Sequence, residues 1–155
     1  EFAELRAYVI SRLLWDPECD VEEVIDDFMF GYYGRSGQYV RAYFDLLHGR
    51  VTPFTHIHLG LKPDDILFSD EWVEEADAVL NRAETVAENE VYRRRVEMAR
   101  LPVWYLKCMR DPVAAREDGS YRRFQRVVER ENITHYAESG APHRHAFHQF
   151  VERAR

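Results

Sequence analysis

Cysteine is scarce in this 155-residue sequence, which contains only Cys19 and Cys108. Two distant thiols cannot form a framework of disulfides, and no C-x-x-C pair indicates zinc or redox chemistry. Positive charge is also in short supply, because 21 Lys and Arg face 28 Asp and Glu for a net charge of −7. We therefore expect no nucleic-acid partner and no anionic membrane partner, since both are bound through positive charge.

Long apolar runs and known catalytic motifs are absent as well. No run approaches the roughly 20 residues of a membrane-spanning helix, and the first residues lack the shape of a signal peptide. There is no glycine-rich phosphate loop, no G-x-S-x-G and no H-E-x-x-H. We therefore expect no catalytic residue, no metal and no cofactor in this chain.

Amphipathic periodicity is what the sequence does contain. Apolar residues recur at three- and four-residue spacing, Asp20 and Ser69 are helix start signals, and Asp16-Pro17, Gly34 and Gly49 end helices. We predict an all-α fold of about seven helices in a single domain over residues 1–155. The predicted helices contain, in order, Phe2–Trp15, Val21–Tyr32, Tyr39–Leu47, Trp72–Val86, Tyr92–Met109, Tyr121–Val128 and Phe147–Val151.

Residues 50–68 interrupt this periodicity and are predicted to form a long loop. Within the loop, His56 and His58 would point to one side of an extended segment, where they could meet a metal or a sugar hydroxyl. The spacing fixes no third ligand, so packed or solvated loop histidines are the simpler interpretation. A substrate-binding role for His56 and His58 stays open as the alternative.

The other charged clusters are interpreted as solvated helix faces. In "HRHAFH" only the last two histidines are neighbours on a helix, which leaves no spacing for a metal site. Adjacent acids on a helix do not face one another, so they make no acid/base pair. The residues concerned are His143, His145 and His148, with the acid pairs Asp26-Asp27 and Asp64-Asp65.

The stretch "RLLWDPECDVEEVIDDFMFGYYG" combines a Trp-Asp-Pro break, a capped acidic helix and a Tyr-Tyr-Gly stop. It is followed in order by "AYFDLLH", "EEADAVLNRAETVAE", "RVEMARLPVWYLK" and "YRRFQRVVERENITHYAES". This series resembles the C-terminal helical region of bacterial glycoside-hydrolase-like proteins. They include the α-glucuronidase type and a related family of unknown function.

The resemblance implies that a catalytic (β/α)₈-like barrel precedes this region in a larger protein. Residues 1–15 then resemble the exit helix of the barrel, and Trp15, Asp16 and Pro17 form a structural joint anchored by burial of Trp15. Replacing Trp15 by Ala is expected to cost ~3–5 kcal/mol, as for a core aromatic. The sequence leaves the compartment open, with an extracytoplasmic parent as one option.

The function implied is that of a non-catalytic accessory domain that supports the barrel and lines part of its sugar cleft. Its partners would be the upstream barrel of the same chain, carbohydrate, and a second copy in a homodimer. The alternative is an independent helical module for protein interaction or oligomerisation. A stand-alone enzyme ranks third, because it would need a deep pocket with convergent titratable groups.

Overall fold

The computed structural model describes residues 2–55, 63, 65–136 and 143–154. These residues form eight α-helices and two short 3-10 turns, and contain no β-strand. Seven helices have 11 to 21 residues and one has six, which confirms the prediction of an all-α fold of about seven helices. They are α1 (Ala3–Trp15), α2 (Val21–Tyr33), α3 (Gly37–His48), α4 (Asp70–Val86), α5 (Glu90–Arg110), α6 (Pro112–Glu117), α7 (Ser120–Arg130) and α8 (His143–Arg153).

Short-range capping fixes several helix ends where the sequence predicted them. The carboxylate of Asp20 accepts hydrogen bonds from two backbone N–H groups at the start of α2, at 2.8 and 3.4 Å. Ser69 accepts one from the start of α4 at 3.3 Å. Gly34 ends α2 with a φ of 60°, a positive value that glycine adopts without strain.

The short helix α6 was not predicted from the sequence. Asp111 accepts a hydrogen bond from the N–H of Ala114 at 2.9 Å, and Pro112 occupies the first helical position. An Asp-Pro pair at these positions is a helix start signal. The Asp side chain caps the helix, and the N–H that proline lacks would have no partner within the helix at this position.

The chain divides into two compact units, which are described separately. Unit 1 comprises Glu1–Ile57 and Glu74–Arg100, and unit 2 comprises His58–Val73 and Leu101–Arg155. Helices α4 and α5 supply residues to both. This division does not test the expectation of a single domain, which stays a prediction.

Unit 1 contains a buried ion-pair network between α4 and α5. Arg100 is 3% exposed and its guanidinium donates to the carboxylates of Asp77 at 2.6 Å and Glu84 at 2.8 Å. Removing one partner of such a buried network leaves an uncompensated charge and is strongly destabilising. The network therefore fixes the register of α4 against α5 within this unit. The apolar residues buried in unit 1 include Val40, Tyr43, Ala76, Leu80, Ala83 and Val96.

The turn between α2 and α3 packs so closely that Gly34 and Gly37 leave no room for a side chain. A Cβ atom at Gly37 would lie 2.3 Å from the carbonyl oxygen of Met29, and one at Gly34 would lie 2.5 Å from the Glu88 carboxylate. Between them, the buried hydroxyl of Ser36 donates to the carbonyl of Ala83 at 2.7 Å. The turn thus joins α2 and α3 to α4 and to the segment that leads into α5.

Unit 2 has an aromatic core formed by α5 to α8. The rings of Phe124 and Phe147 lie 5.1 Å apart, and Tyr105 stacks on Phe147 at 5.2 Å. Burial raises the pKa of the Cys108 thiol to about 12, so Cys108 is neutral and acts as a packing residue. The buried core residues are Trp104, Cys108, Ala115, Tyr121, Phe124, Val127, Val128, Phe147 and Val151.

Among the described residues, no helix has both the length and the apolar character that are needed to span a membrane.

Gly37→Ala is expected to lower the free energy of unfolding by about 1–3 kcal/mol, because the new methyl group overlaps a backbone carbonyl. Gly31→Ala is the matched control. Apart from the chain neighbours of Gly31 and the nearby backbone of α2, no described atom lies within 4 Å of its Cβ position, and alanine favours a helix by up to about 1 kcal/mol. Urea denaturation of both variants measures the two changes in the free energy of unfolding. Equal changes at the two sites would contradict the prediction.

Asp118 gives the fold a defined acid sensitivity. Burial raises the pKa of Asp118, but hydrogen bonds from Lys107 Nζ at 2.5 Å and from the backbone N–H of Ser120 at 2.8 Å outweigh it and hold this pKa below its usual value. A lowered folded-state pKa stabilises the protein above the unfolded pKa of about 3.9. That contribution is lost as the pH falls through the folded-state value.

Asp118→Asn should therefore lower the free energy of unfolding at neutral pH and lower it less at an acid pH below the folded-state pKa, where the carboxylate is protonated in both states. The carboxylate is 41% exposed, so solvent screening limits the loss to about 1 kcal/mol or less. Urea titrations at the two pH values measure the difference. A loss that is equal at both pH values would show that the charge of Asp118 is not its cause.

Candidate functional site

Helix α1 packs on the rest of unit 1 along one side only. Leu5 is its one buried residue, at 4% exposure. The Tyr8 hydroxyl donates to Asp27 of α2 at 2.5 Å, which raises the pKa of Tyr8 and keeps it a hydrogen-bond donor. These contacts hold the helix in place and leave its opposite side uncovered by the described residues.

The uncovered side of α1 is apolar. Ala3, Ala7, Ile10 and Leu14 are all exposed, Ile10 by 51% and Leu14 by 83%. Their spacing of four, three and four residues places them in one stripe along the helix, which we call the α1 surface. An apolar stripe of this kind is typical of helices that pack against another structural element.

An open groove of about 380 Å³ adjoins the α1 surface through Ile10. Its walls come from α1, α2 and α3 and are mainly apolar. The lining residues are Phe2, Leu5, Arg6, Val9, Ile10, Ile25, Phe44, Leu47 and His48. Groove and stripe together form a continuous surface suited to contact with a protein partner.

The residues predicted to form a joint end α1 as expected, but Trp15 is not buried. The backbone N–H of Asp16 donates to Arg12 at 2.8 Å and the Asp16 carboxylate accepts from Glu18 at 3.1 Å, so the helix stops directly before Pro17. Trp15 is 90% exposed, and the expectation that it anchors this chain by burial is wrong. The reason is that burial along α1 is confined to its first half. A joint to another domain stays a prediction.

The two histidines predicted to bind substrate, His56 and His58, lie outside the described residues.

The described members of the acidic pairs form hydrogen bonds or ion pairs within the protein. Asp26 forms an ion pair with Arg41 at 3.0 Å, and Asp27 accepts from Tyr8. Asp65 caps the 3-10 turn Ile66–Phe68 by accepting a hydrogen bond at 2.9 Å, and Asp64 is outside the described residues. No group of three or more potential metal ligands occurs in the part of the chain that the structure describes.

A polar cluster in unit 2 was missed by the sequence analysis. The Tyr121 hydroxyl donates to Glu152 at 2.9 Å and contacts Nδ1 of His148 at 3.0 Å, while Tyr136 contacts Nε2 of the same ring at 3.0 Å. Burial, together with Glu152, raises the pKa of Tyr121, so the phenol stays protonated. The prediction that "HRHAFH" forms a solvated helix face is therefore wrong at His148.

The geometry explains why this cluster escaped prediction. Tyr121 and His148 are 27 residues apart, so only the packing of α8 on α7 brings them together. Glu152 follows His148 by one helical turn, and that i, i+4 pair was the signal available in the sequence. The side chains of His143 and His145 are outside the described part.

Comparison with known protein families gives a match to part of the chain. Residues 1–45 match the model of a family described as "Domain of unknown function (DUF4838)". No curated protein and no solved structure gives a significant match. The matched residues include α1, α2 and most of α3, which carry the α1 surface and most residues of the adjoining groove.

Trp15→Ala is expected to change the free energy of unfolding of this chain by less than about 0.5 kcal/mol, because the indole is exposed. Trp104→Ala is the matched comparison and should cost about 3–5 kcal/mol, since Trp104 is 1% exposed. Chemical denaturation followed by circular dichroism measures both. A large loss of stability for Trp15→Ala would contradict the exposed position of this side chain on α1.

Proposed function

We propose that this chain is a non-catalytic helical accessory domain that docks, through the α1 surface, on the catalytic barrel of a carbohydrate-active, glycoside-hydrolase-like protein. The observation that carries the proposal is the apolar stripe of α1, with Leu14 83% exposed beside an open apolar groove. Burying one such leucine contributes about 1.5–3 kcal/mol, so covering the stripe would add substantially to the free energy of binding.

Two further points concern the docking surface and the barrel. The match to a family model covers residues 1–45, the segment that contains the α1 surface. The order of motifs from Trp15-Asp16-Pro17 onward resembles the helical region that follows the barrel in glycoside-hydrolase-like proteins. In that arrangement Trp15 would be covered by the neighbouring domain, which accounts for a 90% exposed indole in this chain.

A second copy of the chain is the alternative occupant, and the stripe gives it a specific basis. Alternation of four- and three-residue steps is the spacing by which two helices pair. A helix of 13 residues offers little area, however, compared with the roughly 800 Å² per partner of a stable interface. A large domain surface that also fills the groove meets that requirement better.

The test is complex formation between this chain and the barrel region proposed to precede it, each produced separately and titrated by calorimetry. Leu14→Glu should weaken binding at least tenfold, about 1.4 kcal/mol, because a charge replaces a buried contact. Val91→Glu is the matched control, since Val91 is 55% exposed on α5 and lies outside the α1 surface.

Three results would contradict the proposal. Equal binding by both variants would remove the α1 surface from the interface. A concentration-dependent dimer, seen by light scattering and abolished by Leu14→Glu, would favour the oligomerisation module instead. Hydrolysis of aryl-glycosides by the 155-residue chain alone would show that it is an enzyme.

A further inference from the structure

A second groove in unit 1 lies between the end of α2 and the start of α5, outside the α1 surface. It has a volume of about 340 Å³, near the lower end of the 300–1,000 Å³ typical of small-ligand sites. We call it the Gly31 groove. Its lining residues are Phe30, Gly31, Gly34, Arg35, Glu88, Asn89 and Tyr92.

Gly31 is the first sign that this groove has an occupant. It is exposed in the last turn of α2, and apart from its chain neighbours and the nearby backbone of α2, no atom of the described residues lies within 4 Å of its Cβ position. Glycine in a helix costs roughly 0.5–1 kcal/mol relative to alanine. Gly34 differs, because a Cβ there would collide with Glu88 and Tyr92. Internal packing therefore explains Gly34 and leaves Gly31 unexplained.

The aromatic side chains are the second sign. Phe30, which directly precedes Gly31, is 76% exposed. Tyr92 lines the same groove. An exposed phenyl ring presents a flat apolar face, and the C–H face of a pyranose ring packs on such faces. Without a side chain at residue 31, a sugar ring can approach the helix backbone closely.

The polar groups of the groove suit hydroxyls and carry balanced charge. Arg35 Nε pairs with a Glu88 carboxylate oxygen at 3.3 Å, and the other Glu88 oxygen accepts from the Arg35 backbone N–H at 2.9 Å. Asn89 accepts from the backbone N–H of Tyr92 at 3.0 Å through its oxygen, and its amide nitrogen is a donor. Planar groups that both donate and accept match the vicinal hydroxyls of a sugar.

We propose that the Gly31 groove binds a single neutral pyranose unit, with Phe30 and Tyr92 against the ring and with Arg35, Glu88 and Asn89 bonding its hydroxyls. The paired charges of Arg35 and Glu88, within a chain of net charge −7, favour a neutral sugar over a uronic acid. This site shares no residue with the α1 surface, so sugar binding and barrel docking can fail separately.

The experiment is a titration of the ¹⁵N-labelled chain with methyl glucoside, methyl galactoside and methyl xyloside, and with glucuronic acid, followed by NMR. Saturable shifts of the Gly31 and Gly34 amide signals with a neutral glycoside are expected. Gly31→Leu should fill the groove and abolish the shift of the Gly34 signal without lowering the unfolding temperature, since leucine favours a helix and the position is open.

Phe30→Ala should weaken binding at least tenfold, and Val91→Ala is its control, because Val91 is an exposed apolar residue outside the groove lining. Absence of saturable shifts with every neutral glycoside would overturn the proposal. So would binding that survives Gly31→Leu, or binding of glucuronic acid in preference to all three glycosides.

Discussion

The turn between α2 and α3 leaves no room for a side chain at Gly37, whose Cβ position is 2.3 Å from a carbonyl oxygen of α2. That contact sets how α3 returns along α2, and the buried Ser36 hydroxyl bonded to Ala83 holds the same turn against α4. With α2 and α3 fixed in this way, α1 is held at one edge through Leu5 and Tyr8. The exposed stripe of α1 follows from that arrangement.

Helix ends were predictable because their signals are local. Asp20 and Gly34 act within a few residues of themselves, and the structure places each where the sequence indicated. Asp111-Pro112 carried the same kind of signal for α6 and was overlooked. Burial is a non-local property, so amphipathic spacing alone could not tell that Trp15 would be 90% exposed. The pairing of Tyr121 with His148 escaped prediction for the same reason.

The two surfaces proposed here differ in chemistry, and unit 1 keeps them apart. The α1 surface is apolar and open, which suits a large protein partner whose approach removes water from Ile10 and Leu14. The Gly31 groove is small, with aromatic rings beside the Arg35–Glu88 pair, which suits a hydroxylated ring. A domain that docks on a barrel through one surface and holds a sugar unit in the other would keep substrate near the catalytic domain, which raises its effective concentration there.

Docking through the α1 surface is tested most directly by hydrogen–deuterium exchange in α1, with and without the barrel region bound. Exchange reports local opening, and a helix held along one side only opens more easily than a helix packed on both sides. We predict that amides in the second half of α1, around Ile10 and Leu14, exchange at least about tenfold more slowly in the complex. Identical exchange in both samples, with protection found elsewhere in the chain, would contradict it.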